Sequence, residues 1–215
     1  MSGAGLDYVR YRAGESDEWM MRIGSGPALL FLPPLFEEMN RTRALLAATM
    51  RALAGHGFSC WLPDLPGTGE SGRPLAQVTW KDWREAAQAA FASSGAAASV
   101  AVRGGALLDE AAPARWRFAP ATGASLARDL GRAGLMTEGG GGYAPSAALL
   151  AELAAAEPAS GPQVRTVRLA TDRAEAELKI EGPPLWRRAE PQTSSELAAA
   201  MASDISTWVR QCGAC

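Results

Sequence analysis

LFLPPLFEEMN at residues 30–40 and WLPDLPGTGES at residues 61–71 decide how this chain is read. Each begins as the tail of an apolar run and passes at once into prolines, which cannot donate a sheet hydrogen bond and so close a strand. The first run, 28–32, contains no polar residue, as expected of a strand covered on both faces. A helical stretch follows at 41–54, ended by Gly55 and Gly57. The second run, 58–62, is again a strand. A strand, a loop, a helix and a strand inside about 30 residues is the unit from which parallel sheets are made.

The same alternation continues outward. Upstream, 6–12 and 18–23 alternate in polarity and read as an antiparallel edge. Downstream, a helix at 79–92 takes Thr79 as its N-cap with Asp82 at the third helical position. It lines up Trp80, Trp83, Ala87 and Phe91 at helical spacing as a core stripe. Strands at 99–102 and 115–119, a helix at 123–134, a flexible glycine break at 139–142, an Ala/Leu helix at 145–156 and a strand at 164–169 come next. A closing helix runs from Ser194 or Ser195 to Arg210. The fold class expected is α/β: a mostly parallel twisted sheet with helices on both faces, one domain over 1–210 and a tail at 211–215. Only residues 170–173 separate the strand 164–169 from the alternating run 174–180. Parallel neighbours ordinarily need a crossover of about a dozen residues, so these two are expected to pair, if at all, as an antiparallel hairpin, in a fold shortened at this end.

Composition narrows the function classes. Apolar residues make up 47% and charged residues 20%, a balance that supports a packed core. A net charge of -2 supplies no field to draw nucleic acid or an anionic membrane. The longest apolar stretch, 27–35, falls short of the roughly 20 residues of a membrane span, so no membrane insertion is expected. Residues 1–12, broken by Asp7, Arg10 and Arg12, do not read as a signal peptide. Three cysteines, an odd number, fit a reducing compartment, and a cytoplasmic location is expected. Cys60, in an apolar run, reads as inert core.

The loop PPLFEEMN after the strand 28–32 and the D-x-x-G-x-G-x-S turn from Asp64 to Ser71 resemble the opening half of an α/β-hydrolase. The wording PPLFEEMN is similar to hydrolase-like proteins associated with exosortase A systems, in particular the type called hydrolase 2. Later pieces agree: VRGGALL at 102–108, FAPATGASL at 118–126, GGYAPSAALLAEL at 141–153 and GPPLW at 182–186. The resemblance implies an α/β-hydrolase-like fold without a lid domain, a hydrolase or acyltransferase lineage, and a link to exosortase-dependent surface-protein sorting or polysaccharide export.

The resemblance also says where a catalytic triad would stand. The nucleophile belongs in G-x-S-x-G on a sharp strand-to-helix turn; here that turn reads Ala101-Val102-Arg103-Gly104-Gly105, and a guanidinium cannot attack a carbonyl. No other stretch matches, and Ser125 reads as a cap or first-turn residue of the helix at 123–134. The base would lie at 182–186, which holds no histidine. His56, the single histidine, sits between two glycines at the opposite end of the sheet, away from the carboxyl ends where such folds gather their chemistry. The acid position points to Asp172, in what reads as a tight turn.

The chemistry left is an arginine facing two carboxylates. In the fold that the resemblance implies, Glu37 and Glu38 follow a strand neighbouring that of Arg103, and an Arg–carboxylate pair there would tie two loops together. The alternative is that Arg103, flanked by the amides of Gly104 and Gly105 at a helix N-terminus, binds a ligand's carboxylate or phosphate. Cleft candidates are Glu37, Glu38, Asn40, Arg103, Thr122 and Trp186, each following a strand at its carboxyl end. Gly67, Gly69 and Gly72 spell G-x-G-x-x-G, but Pro63 and Pro66 precede them and Arg73-Pro74 follows where a helix should start, so no dinucleotide site is expected. Asp64 reads as a structural acceptor for that turn. Cys212 and Cys215 have C-x-x-C spacing, too few thiols for a closed zinc site, and read as a frayed tail. No metal or cofactor is implied. The function expected is that of a hydrolase-fold protein without a Ser-His pair that binds a small molecule or a protein partner. The alternative is a hydrolase or acyltransferase of the ester or thioester class in which an acidic residue such as Glu37 activates water.

Overall fold

The structure, a computed structural model, describes residues 5–132 and 145–213. The expected glycine break at 139–142 and Cys215 lie outside these. The strands are β1 Leu6–Ala13, β2 Ser16–Gly24, β3 Ala28–Leu32, β4 Ser59–Pro63, β5 Ala98–Val102, β6 Ala114–Phe118, β7 Gln163–Leu169 and β8 Leu178–Ile180. The α-helices are α1 Glu37–Gly55, α2 Trp80–Ser94, α3 Gly123–Arg132, α4 Ala147–Ala154 and α5 Ser195–Gln211. The strands form one sheet in the order β1-β2-β4-β3-β5-β6-β7-β8, antiparallel at β1-β2 and β2-β4 and parallel from β4 onward.

Two apolar clusters sandwich this sheet. On one face α1 and α5 bring Leu45, Met50, Leu53, Met201 and Ile205 onto Phe31, Val100 and Trp116. On the other, α2, α3 and α4 bring Trp83, Leu126, Leu149 and Leu153 onto Leu30, Leu32 and Ala101. Burying one such side chain contributes about 1.5–3 kcal/mol, so the two-sided burial of β3 and β5 holds the middle of the sheet fixed and leaves its strand ends to carry a site. The cap expected for α2 is present: Asp82 N donates to Thr79 Oγ1 at 3.2 Å and Thr79 N to Asp82 Oδ2 at 2.8 Å. Gly95, at φ 63°, ends that helix.

Two expectations are corrected. α1 begins at Glu37, a turn earlier than its apolar periodicity indicates, because Glu37 and Glu38 sit in its first turn, where the positive helix end favours carboxylates. More substantially, β8 pairs with β7 in parallel, Val167 opposite Leu178 and Leu169 opposite Ile180, and no antiparallel hairpin forms. The crossover rule assumes strands of ordinary length. β8 is three residues long, so the chain has only about two residues of rise to travel back, near 7 Å, before running forward again. Residues 170–177 suffice for that. Their turn is closed by Asp172, whose Oδ1 accepts from Ala174 N at 3.0 Å, and by Lys179 Nζ donating to the Asp172 carbonyl at 2.7 Å.

Candidate functional site

The site is built from the carboxyl ends of β3, β5 and β6. Phe36, Arg103 and Ala119, which come after those strands, are the non-glycine residues of positive φ among the described residues, at 56°, 53° and 46°. The left-handed region costs a side-chain-bearing residue roughly 1–2 kcal/mol, so three such residues together mark a place where geometry is imposed by the surroundings. At Arg103 the constraint is visible. Gly105, two residues on, lies so close to β3 that a Cβ there would stand 2.2 Å from the Leu32 carbonyl oxygen. The strand-to-helix elbow is therefore pressed against its neighbour, but the chain leaves it through a 3-10 turn, Arg103–Leu107. The α-helix start expected at Gly104 and Gly105 is absent, and with it the helix dipole that would have drawn an anion there.

Arg103 is fully engaged. Its Nε donates to both oxygens of Glu38 at 3.2 Å, its Nη2 to Glu38 Oε1 at 3.0 Å and its Nη1 to the Ala119 carbonyl at 3.3 Å. Its guanidinium carbon lies 5.0 Å from the centre of the Trp186 ring, in cation–π contact. The two side chains of the ion pair are 12% and 15% exposed, so the pair is nearly but not wholly shielded. Burial pushes the Glu38 carboxyl above its ordinary range against the pull of Arg103. Of the two carboxylates expected as partners, Glu38 makes the clamp. Glu37 turns to Arg41 at 3.5 Å and accepts from Asn40 Nδ2 at 3.4 Å.

Beside this clamp opens a cavity of about 500 Å³. Its apolar wall is Leu35, Phe36, Leu126, Leu130 and Trp186; its charged wall is Glu37, Glu38, Asp129, Arg41, Arg132 and Arg187. Glu37, Glu38 and Trp186 line it, whereas Arg103, paired with Glu38, is not among the lining side chains. Thr122 serves as the cap of α3, its Oγ1 accepting from Ser125 N at 3.2 Å, and Asn40 faces Glu37. The contributions of α3 and Arg187 were missed by sequence reasoning. Leu126 and Leu130, spaced i, i+4 with Asp129 and Arg132 beside them, carried the signal of a helix with one wet flank. Trp186 packs edge-on against Phe118 at 5.9 Å, its carbonyl accepts from Arg41 Nη1 at 3.2 Å, and its Nε1 is buried with no partner among the described residues.

The other titratable positions singled out in the sequence do not line this cavity. His56 caps the far end of α1, where its carbonyl accepts from Arg210 at 2.9 Å. Asp172 is held by Arg168 at 2.9 Å; burial raises its carboxyl, but the Ala174 amide and Arg168 outweigh that and keep it below the usual range. Asp64 accepts from Glu70 N at 3.0 Å inside its own turn, the structural role read for it. Cys60 is fully buried, its thiol pushed up to about 12. Among the described residues no three His, Cys, Asp or Glu side chains gather as metal ligands, and no helix is long and apolar enough to cross a membrane.

Comparison with known proteins bears on the fold. The chain is similar to mouse alpha/beta hydrolase domain-containing protein 10 over 97% of its own length and 100% of that chain, with 15% identity and a TM-score of 0.64. It is similar to a candidate hydrolase from Agrobacterium vitis S4 over 96% and 99%, with 15% identity and a TM-score of 0.59. An epoxide hydrolase from Vigna radiata is matched at 20% identity over 53% of this chain and 38% of that one, with a TM-score of 0.43, so the chain spans well under half the length of such enzymes. No protein-family model and no curated protein sequence matches it. At these identities the likeness speaks to architecture: this is an α/β-hydrolase-like fold.

Proposed function

We propose that this chain is a cytoplasmic binding protein on an α/β-hydrolase scaffold, working without a Ser-His nucleophile and base. It holds a small molecule or a segment of a partner in the cavity beside the Glu38–Arg103 clamp. One observation carries this reading: at the turn where the family resemblance would put a nucleophile, Arg103 has every guanidinium nitrogen engaged, by Glu38 and the Ala119 carbonyl. The cavity alongside is large enough for a ligand, within the roughly 300–1,000 Å³ usual for such sites. The likeness of residues 33–40 to exosortase A-associated hydrolases supports placing the protein in exosortase-linked surface-protein sorting or polysaccharide export.

The test sets a serine-directed fluorophosphonate and a panel of short-chain esters and thioesters against the purified chain. The expected result is no labelling and no turnover, with a ligand in the cavity instead raising the melting temperature with concentration. Turnover that Glu37→Gln abolishes would overturn this reading in favour of an ester or thioester hydrolase or acyltransferase in which Glu37 activates water. The contacts of Glu37 with Arg41 and Asn40 hold it within a charged network, a structural use that needs no reaction.

A further inference from the structure

We infer that the ligand of this cavity is an amphipathic monocarboxylate, an apolar chain or ring system ending in a single carboxylate; this rests on the binding reading above. The first ground is the wall. Leu35, Phe36, Leu126, Leu130 and Trp186 lie at the cavity with 8% exposure or less, so part of its surface is hydrocarbon against which an apolar body can lie, beside the charged wall. The second ground is the charge balance. Each lining carboxylate already has an arginine: Glu37 with Arg41 at 3.5 Å, Glu38 with Arg103 at 3.0 Å and Asp129 with Arg132 at 3.3 Å. Arg187 is the lining cation that makes no ion pair among the described residues; with Arg103, which pairs with Glu38 from outside the lining, four guanidiniums stand against three carboxylates, one positive charge in excess.

The third ground is the hydrogen-bond balance, which leans the same way. Trp186 Nε1, buried in the cavity wall, has no hydrogen-bond acceptor among the described residues, so the wall lacks an acceptor there and not a donor. A carboxylate supplies acceptors and no donor, carries the one negative charge required, and matches the planar fork of a guanidinium in two parallel bonds. A neutral alcohol leaves the excess charge uncompensated. An ammonium adds to it.

The experiment titrates the chain with decanoate, decanol and decylammonium below their micellar concentrations, following tryptophan fluorescence and calorimetry. Decanoate is expected to bind about tenfold or more tightly than decanol, the fold-change of one charge-assisted hydrogen-bonded contact, and decylammonium most weakly. Arg187→Gln, at an exposed position, is expected to bring decanoate down to decanol, and Arg187→Glu to reverse the preference toward decylammonium. Equal binding of decanoate and decanol, or preference for the ammonium, would overturn the ligand class while leaving a binding cavity. An Arg187→Gln chain that keeps the full decanoate preference would do the same. Absence of binding by all three compounds would overturn the class and count against the cavity reading as well.

Discussion

Two bidentate arginine–carboxylate pairs, one with its arginine within β6 and one with its arginine just past the end of the neighbouring β5, do different things. Arg117 on β6 meets Asp109 through bonds of 2.7 Å each, with side chains 6% and 0% exposed, and its Nη2 also donates to the Ala159 carbonyl. That pair ties the segment before β7 to the sheet interior. Arg103, at the end of β5, meets Glu38 through longer bonds, from a backbone of positive φ, at the edge of a cavity. The same chemistry serves as an interior tie in one place and as the wall of a site in the other. What separates them is backbone strain and access to solvent, neither of which the residue types reveal.

The contrast breaks or holds on stability. Asp109→Ala is expected to cost about 3–5 kcal/mol, because it strands a buried guanidinium with one carbonyl partner. Replacing both partners, Asp109→Leu with Arg117→Met, is expected to recover most of that loss. Glu38→Ala should cost less, about 1.5–3 kcal/mol, since Arg103 keeps Ala119 and Trp186 and has an opening to water. Urea unfolding of the three variants measures all of this. Equal costs at Glu38 and Asp109 would erase the distinction between interior tie and site wall.

Much of the scaffold was legible in the sequence, and the reasons are local. Prolines after two apolar runs fix the ends of β3 and β4; period-two polarity fixes the edge hairpin; Thr79 and Asp82 fix the start of α2. The elbow was legible too, as a position, since the apolar run before Arg103 and the two glycines after it mark the end of a strand and a tight turn. The choice between Glu37 and Glu38 was not. Adjacent helical side chains point about 100° apart, and which faces β5 depends on where α1 begins and how it crosses the sheet. The pairing of β8 turned on the return distance of a three-residue strand, and the α3 wall turned on tertiary placement. The positive φ at Phe36, Arg103 and Ala119 carried no signal at all, for none is a glycine.

That strain gives a sharper test of the same two arginines. Arg103→Gly and Arg103→Ala both lose the clamp, but alanine keeps a Cβ in the left-handed region. The glycine variant is therefore expected to be the more stable by about 1 kcal/mol. Arg117 lies in a regular strand, so there the order inverts, and glycine is expected to be worse than alanine by about 0.5–1 kcal/mol. Thermal melts of four variants read a difference of sign. The same order at both positions would mean that the elbow stores no strain.

The smallest signal is in pH. Burial raises the Glu38 carboxyl in the fold above its unfolded value, so between the two the folded chain holds a proton that the unfolded chain has released. The stability this group contributes is full below the ordinary carboxylate range and is lost as pH rises through the raised value. Glu38→Gln resembles the protonated form and does not titrate. The stability of the parent relative to Glu38→Gln is thus expected to fall as pH rises above the ordinary carboxylate range, in urea titrations at each pH. Asp109→Asn should show the same sign, since burial raises Asp109 against the pull of Arg117. Asp172→Asn should show the reverse: its carboxyl is held low, so its contribution is present above the unfolded value and lost on acidification. A parent that gains on Glu38→Gln as pH rises would place that carboxylate in a solvated pair, and the cavity wall beside Arg103 would then be wetter than its geometry describes.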